Sequence, residues 1–285
     1  MRKLLTAFFL LFYISCYSQN FLSWQFSDRY FSFSVGTGAS TYLGELNYNN
    51  TINDDISLIN FGIEARLLNR IGARLEGSYF SLSGADRNAP DSTFQRQRNL
   101  SFQSRNIHFQ VHTIYYLKPY QGDYYKRLFF DPYLFSGVGY MKFTPTATLG
   151  GEEYKLRDAQ TEGVEYKKWV TTIPVGIGAK FKANEFLNFN LEISYHFTFT
   201  DYLDDVSSTY ASEFANTTAA LLSDRKEEVG VVNQEFYDQI LPGSPRGNPD
   251  NNDSFIQIGI RVEIFLPPDL FTGKNKAIIK KPSAY

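Results

Sequence analysis

Cysteine is nearly absent from this chain. Its one copy, Cys16, lies among the first twenty of 285 residues. If export removes that stretch, no disulfide, thiol nucleophile or cysteine-held metal remains. Histidine occurs three times, tryptophan and methionine twice each, so imidazole chemistry has few candidates. A dominant charge is missing too. Lys and Arg number 28 against 30 Asp and Glu, a net charge of -2, which exerts no strong pull towards nucleic acid. Beyond the N-terminus no apolar run approaches the roughly 20 residues of a membrane helix. Aromatic residues, by contrast, make up 17% of the chain, which suits a protein with two lipid interfaces to line.

The N-terminus MRKLLTAFFLLFYISCYSQN places Arg2 and Lys3 before an apolar run from Leu4 to Ile14. That is the plan of a secretory signal peptide, with Cys16 and Ser18 at the two small positions before a cut after Ser18. The alternative is lipidation at Cys16, although Tyr13 stands where a lipobox carries an aliphatic residue. The expected division is a signal peptide at 1–18, a barrel at 19–265 and a C-terminal tail at 266–285.

Eight segments alternate apolar and polar residues, the period of a strand with two unlike faces. The clearest runs from Leu187 to Phe199: leucine, isoleucine and aromatic residues on one face, Asn188, Asn190, Glu192, Ser194 and His196 on the other. The others begin at Tyr30, Leu58, Ile71, Asn106, Pro132, Trp169 and Phe255. Pro174 interrupts the sixth, where a bulge or kink in a still-paired strand is expected. Links at 69–70 and 182–186 are short, the link at 118–131 is intermediate, and those at 44–56, 84–98, 144–167 and 201–253 are long. Short turns at one end and long loops at the other mark an eight-stranded antiparallel transmembrane β-barrel, with the long loops outside the cell and both chain ends in the periplasm.

In a lipocalin-like soluble barrel the apolar face would line a ligand cavity and charges would cover the outside. Here the polar faces are rich in Gly, Ser, Asn and Gln with sparse charges of both signs. Glu64, Arg66, Arg74, Glu76, Glu192, Arg261 and Glu263 are therefore expected to pair as a charge network inside a narrow lumen. The apolar face meets lipid.

Several stretches resemble the PorG-like outer-membrane barrels of the type IX secretion system. They are GASTYLGELN (38–47), RNLSFQS (98–104), PYLFSGVGYMKFTPTA (132–147), TIPVGIGAKFK (172–182) and TFTDYLDDVSSTY (198–210). The resemblance spans about 30–265. YLGELN and TDYLDDVSSTY are its more specific parts, because strand periodicity does not demand them. It implies an accessory or anchoring barrel in a Gram-negative outer membrane, associated with a periplasmic ring of PorK-like lipoproteins and PorN-like proteins, and distinct from the translocation channel. The alternative from another class is a small barrel that binds or admits a small solute.

Asp201, Asp204 and Asp205 could suit calcium, but a hydrated rim that blocks further strand pairing is the preferred reading. NPDNNDS (248–254) likewise reads first as turn formers. His108 and His112 lie roughly 13 Å apart at strand rise, too far for one metal, while His196 could approach either. A serine, His196 and Asp201 near the outer edge are what chance would also provide, so no catalytic residue, metal or cofactor is expected. Partner contact is assigned to Tyr124, Tyr125 and Arg127 in the intermediate link and to Lys280 and Lys281 in the tail, since aromatic residues and Arg are enriched at interfaces.

Overall fold

The computed structural model describes residues 31–48, 56–120 and 127–266. The expected signal peptide, the tail with Lys280 and Lys281, and Tyr124 and Tyr125 lie outside these residues. Eight strands form the barrel: β1 (Phe31–Leu43), β2 (Leu58–Arg66), β3 (Ile71–Ala85), β4 (Ser101–Tyr116), β5 (Phe130–Lys142), β8 (Trp169–Lys182), β9 (Leu187–Thr198) and β10 (Ser254–Leu266). Each pairs antiparallel with its barrel neighbours, and β1 closes the ring on β10 from Phe31 opposite Leu266 to Leu43 opposite Ser254. Two short strands, β6 (Pro145–Leu149) and β7 (Glu152–Lys155), form a hairpin that pairs with the outer end of β4.

The alternation seen in the sequence is the alternation of burial. In β4 every second residue from Phe102 to Tyr116 is buried, and the intervening Ile107, Phe109, Val111 and Tyr115 are exposed. Phe109 and Leu75 are 56% and 59% exposed, whereas Arg74 is 1% exposed. An apolar outside around a charged inside reverses the order of a water-soluble protein. Its solvent is hydrocarbon, where a closed ring leaves no unpaired strand edge. The protein is an outer-membrane β-barrel.

Pro174 produces no bulge. β5 and β8 keep one register on both sides of it, with Ser136 opposite Val175 and Gly139 opposite Thr172. Only the pairs between these lapse, because proline has no N–H to give β5. On its other side Pro174 stays opposite His196 of β9.

The inward face is not polar throughout. Towards the outer end it turns apolar: Tyr42, Leu58, Phe80, Phe102, Met141 and Phe255 form a core with Leu46, Leu156, Leu203, Val206 and Leu222 from the outer links. The longest link, 199–253, contributes helical turns at Thr217–Ser223, Lys226–Val229 and Gln234–Gln239. With the β6–β7 hairpin it forms a folded cap over the barrel mouth. Burial of this core gives the cap its own hydrophobic stabilisation.

Candidate functional site

Inside the barrel the charges are cross-braced. Arg74 on β3 reaches across to Glu192 on β9 (Nη1 to Oε1, 2.5 Å) and lies 3.8 Å from Glu76. Arg261 on β10 contacts both carboxylates, at 2.7 Å from Glu192 and 2.8 Å from Glu76. The result is a square of alternating sign, to which the Tyr133 hydroxyl adds a hydrogen bond to Glu192. Nearer the short-turn end, Lys180 joins Glu64 to Glu263, and Arg66 pairs with Asp131 at 2.6 Å. Ser32, Asn188 and Asn190 also donate to Glu263. The seven expected lumen charges therefore fall into separate groups. Arg74, Glu76, Glu192 and Arg261 belong to one; Glu64 and Glu263 to a second; Arg66 to a third. Lys180 and Asp131, which are not among the seven, complete these groups. Lys180 stands on the inward parity of β8 beside Gly176 and Gly178, and that parity was the available signal.

Aromatic side chains fill the space between charges. The Tyr133 ring lies where a Cβ on Gly178 would be, and Phe135 lies equally close to the same point on Gly176. Glycine on β8 thus admits the rings of β5. A cavity beside the charge square, lined by Glu76, His112, Glu192 and Arg261 among others, has a volume of about 20 Å³. That is room for about one water molecule and no channel.

The histidines are lumen side chains. His108 and His196 have ring centroids 5.6 Å apart, and His196 stacks on Phe255 at 4.4 Å. Ser194 Oγ lies 2.9 Å from His196 Nε2. The His196 Nδ1 atom, where a hydrolase would place an orienting acid, has no hydrogen-bond partner among the described residues. Asp201 is not on it, and the pair is buried without the third member of a triad.

Arg127 also turns inward. Its Nε donates to the Asn188 side chain at 2.6 Å, and its terminal nitrogens donate to the carbonyls of Asn184, Glu185 and Leu187. It holds the β8–β9 turn and is 7% exposed. This differs from the expected partner contact, because the turn's carbonyls capture the guanidinium first.

The three aspartates after β9 are not a hydrated rim. Asp201, Asp204 and Asp205 are all buried, because the cap folds over them. They also part company. Asp205, at φ 68°, accepts hydrogen bonds from Thr161 and Tyr166 and lies 3.8 Å from Arg246, which pairs with Glu162. Asp204 accepts from the Tyr42 hydroxyl at 2.7 Å. Asp201 instead meets Glu45, from the link after β1, and Asp253, from the NPDNNDS turn. One oxygen from each lies within 4.8 Å of the others.

Burial pushes Asp201 up to about 7 and Asp205 up to about 6, the latter against the opposing pull of Arg246. Burial, with the Asp253 charge beside it, raises Asp204 well above the carboxylate range; burial raises Asp253 likewise and Glu45 to a smaller extent. Glu45, Asp201 and Asp253 are the described residues best placed to hold a metal ion.

No family model matches the chain, and no curated protein matches its sequence. Solved outer-membrane proteins share the barrel. A major outer membrane protein from Thermus thermophilus aligns with TM-score 0.42 and 12% identity over 84% of this chain and 99% of its own. Ail, the attachment invasion locus protein of Yersinia pestis, solved with the heparin analogue sucrose octasulfate, aligns with TM-score 0.39 and 9% identity over 84% and 99%. Neisserial surface protein A aligns with TM-score 0.37 and 9% identity over 83% and 96%. At such identities the likeness is to the barrel fold alone.

Proposed function

We propose that this protein is an accessory or anchoring barrel of the type IX secretion machinery, which contacts a periplasmic ring of PorK- and PorN-type proteins and conducts nothing itself. The filled lumen carries the second half of this reading. A barrel closed by the Arg74–Glu192–Arg261–Glu76 square has only its surfaces with which to act. The choice of machine rests on the sequence resemblance. Its two specific segments, YLGELN and TDYLDDVSSTY, meet in the cap through Tyr42 with Asp204 and Glu45 with Asp201. The same filling weighs against a barrel that admits a small solute.

The test is purification from outer membranes in mild detergent, with planar-bilayer recording of the purified barrel. Ring components are expected to co-purify, and no stable open pore is expected. Deletion of residues 269–285 together with Tyr124→Ser and Tyr125→Ser should leave a heat-modifiable barrel while lowering both co-purification and secretion. Arg127 is left in place because it holds the β8–β9 turn. Full co-purification and normal secretion in that strain would put the contact, or the machine, elsewhere. A steady pore would favour the solute barrel.

A further inference from the structure

Two links that are distant in sequence, the one after β1 and the two ends of 199–253, bring Glu45, Asp201 and Asp253 together at the barrel mouth. Their mutual oxygen separations, all within 4.8 Å, do not exceed the widest spacing of two oxygens bound to one calcium ion at about 2.4 Å. Asp201 is 7% exposed, and among the described residues neither of its carboxylate oxygens has a well-aligned hydrogen bond, the Ser207 side chain giving it only a loose one. Among the described residues, no Lys or Arg forms an ion pair with Glu45, Asp201, Asp204 or Asp253. A carboxylate buried without a partner destabilises the fold that buries it. Something from solution must answer this one.

The neighbours are held as ligands would be. Asp253 Oδ2 accepts the Leu203 N–H at 2.9 Å, and Glu45 Oε1 accepts the Asn248 N–H at 3.2 Å. The Tyr42 hydroxyl lies 2.7 Å from both Asp204 Oδ2 and Asp253 Oδ1. One phenol carries one proton and can donate to only one carboxylate at a time. The second charge is left for a proton or a cation to neutralise. A Cβ on Gly44 would collide with Asp253 Oδ1, so glycine lets the chain pass this close to the acidic group.

We propose that Glu45, Asp201 and Asp253 bind a calcium-type divalent cation that fastens the 199–253 link over the barrel mouth. Three carboxylates from irregular links, with water completing the shell, suit calcium's flexible coordination; magnesium demands a near-ideal octahedron. With the long links outside the cell, as their lengths lead one to expect, the site faces a medium where calcium-binding modules work at about 0.1–1 mM. The proposal is independent of the secretion reading.

The test uses the full chain refolded in detergent, with calorimetric titration of calcium chloride and limited trypsin cleavage within 199–253, which contains Arg225 and Lys226. Calcium at about ten times its dissociation constant should slow cleavage through local opening about tenfold, and a chelator should reverse this. Asp201→Asn should abolish the response, while its cleavage in chelator is no faster than that of the parent. Glu45→Gln, at a half-buried position, should weaken binding and serves if the Asp201 variant does not refold. Four results would overturn the site: no heat of binding and no protection in the parent, an unchanged response in both variants, equal protection by magnesium, or protection by acid alone.

Discussion

The lumen and the cap bury carboxylates to a similar degree, but the lumen gives each of its own a counter-charge, whereas the cap does so for Glu162 and Asp205 and not for Asp201, Asp204 and Asp253. Glu76, Glu192 and Glu263 are 6%, 8% and 1% exposed, and Asp201, Asp204 and Asp253 are 7%, 1% and 2% exposed. Each lumen carboxylate has an Arg or Lys nitrogen within 2.9 Å. None of those three cap carboxylates has an ion pair among the described residues. The lumen sits on strands, where fixed parity sends every second side chain inward and lets cations meet anions across the ring. The cap is built from links with no such period, and Asp201, Asp204 and Asp253 are left to the solvent. The barrel is thus electrostatically self-sufficient, whereas the cap depends on what the medium provides.

The largest effect should come from breaking the self-sufficient half. Arg74→Ala leaves Arg261 alone to face both Glu192 and Glu76, one buried negative charge in excess, and is expected to cost about 3–5 kcal/mol. It would show as lost heat resistance of the folded band on electrophoresis. The double change Arg74→Gln with Glu192→Gln should cost less, because no charge is left unpaired. Unchanged heat resistance in the single variant would mean that the square does not brace the barrel.

A smaller, local effect is expected in the cap. Gly44→Ala drives a methyl group into the Tyr42 hydroxyl, and such overpacking costs about 1–3 kcal/mol. Protease should then cut within 199–253 while the barrel stays heat-modifiable. If barrel and cap fail together, the two regions are one cooperative unit and the contrast between them is lost.

The smallest effect sharpens the contrast through pH. Asp201 and Asp205 are raised above the ordinary carboxylate value, to about 7 and about 6. A raised carboxyl binds its proton more tightly in the folded state than in the unfolded one. Its stabilising contribution is therefore complete below about pH 4 and is lost as pH rises through about 6 to 7. In chelator, hydrogen exchange of residues 199–210 should be slower at pH 5 than at pH 8 once the intrinsic rates are corrected. Exchange that is faster at pH 5 would contradict the assigned shifts.

How much of this was legible depended on period. The inward places of Arg74, Glu76, Glu192 and Arg261 followed from alternation, as did the outward Phe109 and Leu191. Partner choice did not, since Arg74 on β3 meets Glu192 on β9 across the lumen and not on a neighbouring strand. Nor did the role of Lys180 as a hub, or the capture of Arg127 by a turn. The aspartates after β9 read as hydrated because the sequence carries no period that would show the 199–253 link folding back over them.

The eight strands, their facing and the lipid-exposed band were determined by sequence alone, because a two-residue repeat acts locally and each strand declares its two faces without reference to the others. The pairing of charges, the apolar core at the barrel mouth and the meeting of Glu45, Asp201 and Asp253 were decided only by tertiary structure. Ring closure sets which strands face each other across the lumen, and the folded cap brings together residues more than 150 positions apart, at distances that no local pattern encodes.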